Sequence, residues 1–214
     1  MAAFDLEEQE TFDEIKAWWR QYGRWVIAAA VVLVLAVGGG YGWRYWQTQQ
    51  QVAAGDLYFE LEAAFDGRDT LRVRELADQL VADHAGAAYT ARAQVLAARR
   101  DLEAGRLEEA ESRLRWVIER AKEPMLRDVA RLRLAALLLD ERKHEDALKW
   151  VETPELPTNS RLFDDRRGDI LVGLGRNDEA RAAFQAAHSA SKQDTAFQAW
   201  VQLKLDALAE GEAP

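Results

Sequence analysis

The side chains most able to do chemistry are the histidines, and their spacing does not form a site. The chain has three of them, His84, His144 and His188. None has a second histidine or a cysteine at the separation that zinc ligands require, and no HExxH segment occurs. We therefore predict no metal site and expect these histidines at helix ends or on the surface.

Other catalytic and cofactor patterns are missing as well. Gly173-Leu174-Gly175 lacks the third glycine and the preceding strand of a dinucleotide-binding loop, and no GxSxG segment occurs. Adjacent carboxylates such as Glu108–Glu109 and Asp164–Asp165 usually form a solvated helix face. Because the chain has no cysteine, disulfides and thiolate chemistry are excluded. The sequence thus predicts no catalytic residue, no bound cofactor and no enzyme activity.

The charge balance also limits the partners. The 214 residues carry 28 basic and 37 acidic side chains, a net charge of -9. Such a chain offers no basic face to a phosphate backbone, which argues against nucleic-acid binding. Partners are therefore expected among proteins and membranes.

The stretch from Trp25 to Trp43 predicts a transmembrane helix. Twelve apolar residues run from Val26 to Val37, and the stretch carries no charge. As a helix it reaches about 28 Å, close to the thickness of the hydrocarbon layer of a bilayer. A tryptophan at each end suits the two membrane interfaces. A buried helix of a soluble core is the alternative, but it has no use for tryptophans at both ends.

A cleaved signal peptide is the second alternative for this stretch. The segment before it, residues 1–24, is long and mostly acidic, whereas the leading region of a signal peptide is short and basic. We therefore predict an uncleaved anchor over residues 25–43. Residues 1–24 are expected to form a polar tip and an amphipathic helix that either docks on a partner or the membrane, or is a solvated tail.

Basic residues near the span predict its orientation. Lys16, Arg20 and Arg24 precede it, and only Arg44 follows at a comparable distance. Since basic residues are retained in the cytoplasm, the tail 1–24 should be cytoplasmic and the larger C-terminal part exported.

Repeats fill most of the exported part. Segments 105–114, 142–151 and 175–184 each contain a short turn, an acidic pair and an alanine, and Ala110, Ala147 and Ala180 lie 37 and 33 residues apart. This period is typical of tetratricopeptide repeats, which have two antiparallel helices per unit. We predict an all-α fold in which a single transmembrane helix precedes a solenoid of such repeats.

Three further segments complete this organisation. Residues 44–86 should form a membrane-exit helix and a first helical hairpin, with Gly86 as a left-handed cap. Residues 87–214 should form the repeats, with an extended linker at Thr153–Pro157 and a capping helix at 195–208.

Two sets of residues are candidates for partner binding. Gly38 and Gly42 form a GxxxG pattern that permits close helix packing in a membrane, although chance would also produce it in a glycine run. The inner face of the repeats is the second candidate, and mixed charges there would equally suit an unused solvated surface. Its candidate residues are Arg92, Arg99, Arg131 and Arg166.

The whole chain resembles a known family. Its acidic tail, single span, the segment GWRYWQTQQ at 42–50 and the repeats are similar to the YfgM-like ancillary subunits of the SecYEG translocon. The resemblance implies a Gram-negative inner-membrane protein with a periplasmic C-terminal domain. It also implies association with the translocon and with a membrane-anchored periplasmic chaperone of the PpiD type, and no catalytic motif.

These observations predict a non-enzymatic adaptor that helps pass exported client polypeptides from the translocon to periplasmic chaperones. A scaffold for envelope assembly, division or stress signalling, without a translocon partner, would have the same architecture. An unrecognised enzyme is the third alternative, against which the missing cluster of ionisable residues argues.

Overall fold

The apolar spacing of three and four residues along the chain predicts helices, and a computed structural model describes helices throughout residues 3–211. No strand occurs among those residues, so the predicted all-α class is confirmed. A short 3-10 turn at Pro157–Asn159 precedes α7. The helices are α1 (Ala3–Asp66), α2 (Thr70–His84), α3 (Ala88–Glu103), α4 (Leu107–Arg120), α5 (Pro124–Asp140), α6 (His144–Lys149), α7 (Ser160–Gly173), α8 (Asn177–Ser189) and α9 (Thr195–Glu210).

The chain divides into two units, Met1–Gln50 and Gln51–Pro214. In the first, α1 includes a stretch long and apolar enough to cross a membrane, and none of the described side chains in that stretch is buried. Val34 and Leu35, for example, are 69% and 68% exposed, as side chains that face lipid would be. Met1, Ala2 and the side chains of residues 3–15, which belong to the predicted tail, lie outside the description.

One turn geometry recurs four times in the second unit. Arg68, Gly105, Arg142 and Gly175 have positive φ angles of 58°, 72°, 60° and 71°, and lie 37, 37 and 33 residues apart. After each of them, the next backbone N–H donates to the carbonyl five residues back; Arg106 N to Asp101 O, for instance, is 2.8 Å. This Schellman geometry ends one helix and reverses the chain into the next. It defines four hairpins: the end of α1 with α2, α3 with α4, α5 with α6, and α7 with α8.

The first hairpin thus has the same turn as the three predicted repeats. Its sequence hides this relation, because Val73 takes the place of the repeated alanine, whereas Arg68 at the left-handed position matches Arg142 of the third hairpin. Asp69 starts α2 instead of an acidic pair, and its Oδ1 accepts from Arg72 N at 3.0 Å. The predicted cap at Gly86 is wrong: α2 ends at His84, Ala85 is helical with φ -52°, and Gly86 has no positive φ.

Helix crossings within the hairpins are filled by pairs of complementary size. The repeated alanines Ala110, Ala147 and Ala180 are fully buried. Two further positions are buried in every hairpin. One lies seven residues before the left-handed residue and the other nine residues after it. A large residue at one position accompanies a small one at the other, which keeps the helices close without a void. The pairs are Leu61 with Ala77, Ala98 with Leu114, Ala135 with Val151, and Gly168 with Phe184.

The end of the repeats consists of a linker and a last helix. The residues between α6 and the 3-10 turn that begins at Pro157 are irregular, and they contain Thr153 and Pro154 of the predicted linker. Helix α9 packs Val201 and Leu208 into an apolar cluster with Phe184 of α8, and Phe197 and Leu205 lie against the same cluster. It therefore occupies the place of the predicted capping helix.

Candidate partner-binding surfaces

The glycines of the membrane-spanning stretch present an open surface. A Cβ atom added to Gly38 or Gly42 would have no neighbour within 4 Å. The same is true of Gly39 and Gly40, so the surroundings within the chain do not distinguish the GxxxG pair from the rest of the run. What the run offers is a narrow length of helix that another helix can approach.

Arg92 and Arg99 lie seven residues apart on α3, which places them on one face of that helix. The Arg92 guanidinium is 3.2 Å from a Glu123 oxygen and 5.8 Å from the centre of the Tyr89 ring. Arg99 Nε is 3.0 Å from Glu103 Oε1. Both side chains are exposed, and solvent weakens both ion pairs, so the arginines can exchange these carboxylates for those of a partner.

Arg131 and Arg166 are more restricted. Arg131 on α5 lies against the linker, with Nη2 3.5 Å from Glu155 and Nη1 3.4 Å from the carbonyl of Thr153. Arg166 on α7 is 3.7 Å from Asp169, and its Nε is buried without a hydrogen-bond partner among the described residues. The four predicted arginines therefore serve separate parts of the repeats, and no direct contact among the described residues joins them into one site.

A buried ion cluster, which sequence reasoning missed, joins the first hairpin to the second. The carboxylate of Asp101 is fully buried and accepts from Arg113 Nε at 2.8 Å and from Arg106 Nη2 at 2.7 Å. Arg113 Nη1 also donates to Asp78 at 2.8 Å and to Gln94 at 2.9 Å. Burial alone would lower the pKa of Arg113, but its hydrogen bonds with Asp78 and Asp101 outweigh this and raise it. Since these charges satisfy one another, the cluster is suited to fixing hairpin geometry.

A second buried carboxylate holds the linker. Asp128 on α5 accepts from the backbone N–H groups of Glu155 and Leu156 at 2.9 and 3.0 Å, and from Asn159 Nδ2 at 2.9 Å. The prolines signal a linker in the sequence, whereas nothing local to Asp128 signals its role. Its bonds fix the segment that leads into α7.

The sequence predicts no metal site and places the histidines at helix ends or on the surface. Among the side chains that the structure describes, no group of three or more histidine, aspartate or glutamate residues is arranged to hold a metal ion. The imidazole of His144 packs on the backbone of α7, where a Cβ added to Gly173 would be 3.0 Å from its Cε1. That histidine therefore has a packing role between hairpins.

The last candidate surface lies between α7 and α9. A cavity of about 290 Å³ is lined by Val172 of α7, Phe184 of α8, and Ala207 and Leu208 of α9, with Asp169 and Lys204 as its charged lining. Lys204 Nζ is 2.7 Å from both Asp165 and Asp169. Burial is the largest influence on Asp169 and raises its pKa in spite of Lys204. Sequence reasoning found the buried side of α9 but not this groove.

Comparison with known proteins gives a consistent result. The sequence model of a family described as "Tetratricopeptide repeat-like domain" matches residues 16–210. A protein of Neisseria gonorrhoeae (strain ATCC 700825 / FA 1090) named "Ancillary SecYEG translocon subunit" is 29% identical over 210 residues, 96% of this chain and 99% of the relative. Proteins of the same name from Haemophilus influenzae (strain ATCC 51907 / DSM 11121 / KW20 / Rd) and Escherichia coli (strain K12) are each 26% identical. They cover 89% and 94% of this chain, and 93% and 96% of their own lengths. The resemblance drawn from the sequence is confirmed.

Proposed function

We propose, from the premise that the chain belongs to the tetratricopeptide repeat-like domain family, that it is a membrane-anchored adaptor and an ancillary subunit of the SecYEG translocon. One observation carries the proposal: relatives with that name align with nearly the whole chain, the anchor included, and not with the widely shared repeats alone. The candidate span and the stacked hairpins supply the two parts that such an adaptor needs, a tether and a binding surface.

In this proposal the protein lies in the inner membrane of a Gram-negative cell, with residues 1–24 in the cytoplasm and the repeats in the periplasm. Lys16, Arg20 and Arg24 before the span, against Arg44 after it, support this orientation. The tether keeps the repeats at a high effective concentration where exported chains emerge. From there the domain hands client polypeptides to a periplasmic chaperone of the PpiD type.

The two candidate surfaces divide this work. Gly38 and Gly42 support contact with a translocon helix, because a helix without side chains there permits close approach. Arg92 and Arg99 support contact with a chaperone or client, since their guanidinium groups are exposed. Arg131 contributes by holding the linker, Arg166 pairs with Asp169 on its own helix, and only the exposed parts of both are available to a partner.

Co-purification of the full chain in a mild detergent tests the proposal. We expect the native chain to retain SecY, SecE and SecG. Replacing both Gly38 and Gly42 with leucine should weaken this association, and the same change at Gly39 and Gly40, which are equally open but lie outside the GxxxG pair, is the matched control. Loss of Arg92 and Arg99 should reduce chaperone capture and leave translocon capture unchanged. In spheroplasts, added protease should digest the repeats and spare the tail.

If the chain retained an envelope-assembly or division complex and no translocon subunits, the proposal would be wrong and the scaffold alternative would be supported. Unchanged translocon capture after an exchange of the whole span for an unrelated one would disprove the role of the glycines. Repeats that resist protease in intact spheroplasts would reverse the orientation.

A further inference from the structure

Helix α9 has two apolar stripes, and only one of them is packed. Phe197, Val201, Leu205 and Leu208 face the apolar cluster shared with α8. Next to them, Ala196, Trp200, Leu203 and Ala207 follow one another at spacings of four, three and four residues, and all are exposed. Trp200 is 55% exposed and Leu203 is 63% exposed. The second stripe, here called the outer stripe, runs about 17 Å along the helix.

The outer stripe borders the groove between α7 and α9. Ala207 belongs to both, and the cavity beside it is floored by Phe184 and walled by Val172, which is 43% exposed. Its volume of about 290 Å³ exceeds the 150 Å³ or so of an apolar cavity known to hold benzene. The groove can therefore take one large apolar side chain.

A helix that merely closes a solenoid has a polar outer face, because that face meets water. Helix α9 instead exposes a tryptophan and a leucine beside an apolar cavity. Tryptophan is among the residues that contribute most to protein interfaces, and contiguous exposed apolar surface is typical of binding sites. The outer stripe has the composition of a contact surface.

The spacing of the side chains in the outer stripe favours a helix as the occupant. Side chains at spacings of three and four form the ridges into which a second helix packs. An extended segment would gain no backbone hydrogen bonds from α9, because the backbone groups of a helix interior are already paired within it.

The acidic charge of this part of the protein favours a basic occupant. At the groove, Asp169 and Lys204 line the cavity, and Asp165 lies 2.7 Å from the same Lys204 Nζ, so two carboxylates face one ammonium group. The whole of Gln51–Pro214 carries 31 acidic and 24 basic residues. A basic segment is attracted by this surface, whereas a second copy of the same acidic unit is repelled.

We propose that the groove between α7 and α9, together with the outer stripe, binds an amphipathic helix of a partner protein that inserts an apolar side chain beside Phe184 and carries lysine or arginine along its flanks. The proposal rests on the adaptor function in one respect: it names the class of partner segment that the repeats receive. Its location differs from the exposed arginines of α3 and from the glycines of the span.

Peptide binding to the full chain tests this proposal. The chain is placed in nanodiscs of zwitterionic phosphatidylcholine, and empty nanodiscs give the background. The probe is a fluorescent helical peptide with leucines on one face and lysines on its flanks, and a second peptide has glutamates in place of the lysines. Fluorescence anisotropy should show binding of the basic peptide and at least tenfold weaker binding of the acidic one.

Trp200→Ala and Leu203→Ala should each weaken the binding of the basic peptide about tenfold, which is the usual effect of losing a central interface side chain. Phe59→Ala is the matched control, because Phe59 is 65% exposed in the same unit and outside the groove. We expect no change for it. Circular dichroism should show native thermal unfolding for all three variants, since each changes an exposed side chain.

Equal binding of the two peptides, no binding of the basic one, or equal effects of Phe59→Ala and Trp200→Ala would overturn the proposal. So would a dimer in analytical ultracentrifugation that Trp200→Ala dissociates, because the occupant would then be a second copy. Translocon co-purification should be unaffected by Trp200→Ala, so a failure of the groove proposal and a failure of the proposed function give different results.

Discussion

The second and fourth hairpins have the same turn, but buried charged residues in the second correspond to buried apolar residues in the fourth. Both reverse the chain at a left-handed glycine, Gly105 in one and Gly175 in the other, with the same pair of backbone hydrogen bonds. Four residues before the glycine the second hairpin has Asp101 and the fourth has Leu171, both buried. Eight residues after it they have Arg113 and Ala183, also buried. A buried ion pair in one hairpin thus corresponds to two apolar residues in the other.

This comparison shows that the turn geometry of a hairpin does not depend on whether its buried residues are charged or apolar. The turn requires one residue that tolerates positive φ, and its hydrogen bonds are the same with either interior. The ion pair is not needed for the fold as such, because burying charges costs solvation energy that the attraction only partly returns. The other members of the Asp101 cluster, Asp78 and Gln94, lie in the first hairpin and in α3. We therefore infer that the cluster fixes how neighbouring hairpins meet.

The largest effect is expected from removing one charge of this pair. Asp101→Ala leaves Arg113 and Arg106 without their buried partner, and we expect a loss of about 3–5 kcal/mol in the free energy of unfolding. Chemical denaturation of the full chain in nanodiscs, followed by circular dichroism, measures it. Asp78→Ala is the control, because that partner of Arg113 is 65% exposed and should cost less than about 1 kcal/mol.

The same experiment can transfer the interior of the fourth hairpin to the second. The double variant Asp101→Leu, Arg113→Ala reproduces the Leu171 and Ala183 pair. We expect it to recover most of the stability lost in Asp101→Ala, since apolar replacement of a buried ion pair is often neutral or better. A double variant as unstable as the single one would show that the two hairpins are not interchangeable at these positions.

The next effect concerns the fourth hairpin, whose helices cross more closely. A Cβ added at Gly168 would lie 2.7 Å from Cζ of Phe184 and nearer still to two other ring carbons. Gly168→Ala should therefore overpack the crossing and cost about 1–3 kcal/mol, observed as a lower thermal unfolding temperature. Gly86→Ala is the matched control, because a Cβ there has no neighbour within 4 Å.

A compensating change makes the test of this crossing sharper. Phe184→Leu should restore part of the stability of Gly168→Ala, since a smaller side chain makes room for the methyl group. A melting temperature that falls equally for Gly86→Ala and Gly168→Ala would contradict the close crossing at Gly168.

These two interiors also show how far sequence reasoning reaches. The left-handed positions Gly105 and Gly175 follow from local pattern, because a glycine between an apolar helix and an acidic pair indicates a helix end. The pairing of Asp101 with Arg113, or of Gly168 with Phe184, depends on which positions face each other across a hairpin. That relation becomes readable only once the register of the turns is known. The relation of the first turn to the repeats is less evident, because Val73 stands where the later hairpins have alanine and Asp69 stands in place of the acidic pair.

The candidate surfaces also differ in how much of them the sequence predicts. Composition predicts the span and its glycines, because lipid selects apolar residues over a continuous stretch. Solvent selects charge at many exposed positions, so arginines on a helix do not reveal which of them are taken up by neighbours such as Glu155. The groove beside α9 could have been suspected from its second apolar stripe, Trp200 and Leu203 in particular. Its cavity requires α7 and α8 and has no local signature.

The smallest effect contrasts the buried pair with an exposed one. Arg161 Nη1 lies 2.7 Å from Asp194, which also caps α9 by accepting from Phe197 N at 3.0 Å. The Arg161 hydrogen bond, followed by the backbone bond, lowers the pKa of Asp194 below its ordinary value of 3.8. A carboxyl with a lowered pKa in the folded state stabilises the fold above its unfolded pKa, and this contribution is lost as the pH falls through the folded pKa.

Asp194→Asn isolates this contribution, because asparagine still caps a helix but carries no charge. At neutral pH the variant should unfold at a slightly lower temperature than the native chain, and the difference should disappear as the pH falls below 3.8 and Asp194 becomes protonated. Added salt should shrink the difference at neutral pH, since solvent reaches both partners, which are 30% and 43% exposed. The loss caused by Asp101→Ala should persist in the same salt, because water and ions do not reach that carboxylate. Equal salt sensitivity of the two variants would mean that the Asp101 cluster is open to solvent, and the contrast between the hairpins would then fail.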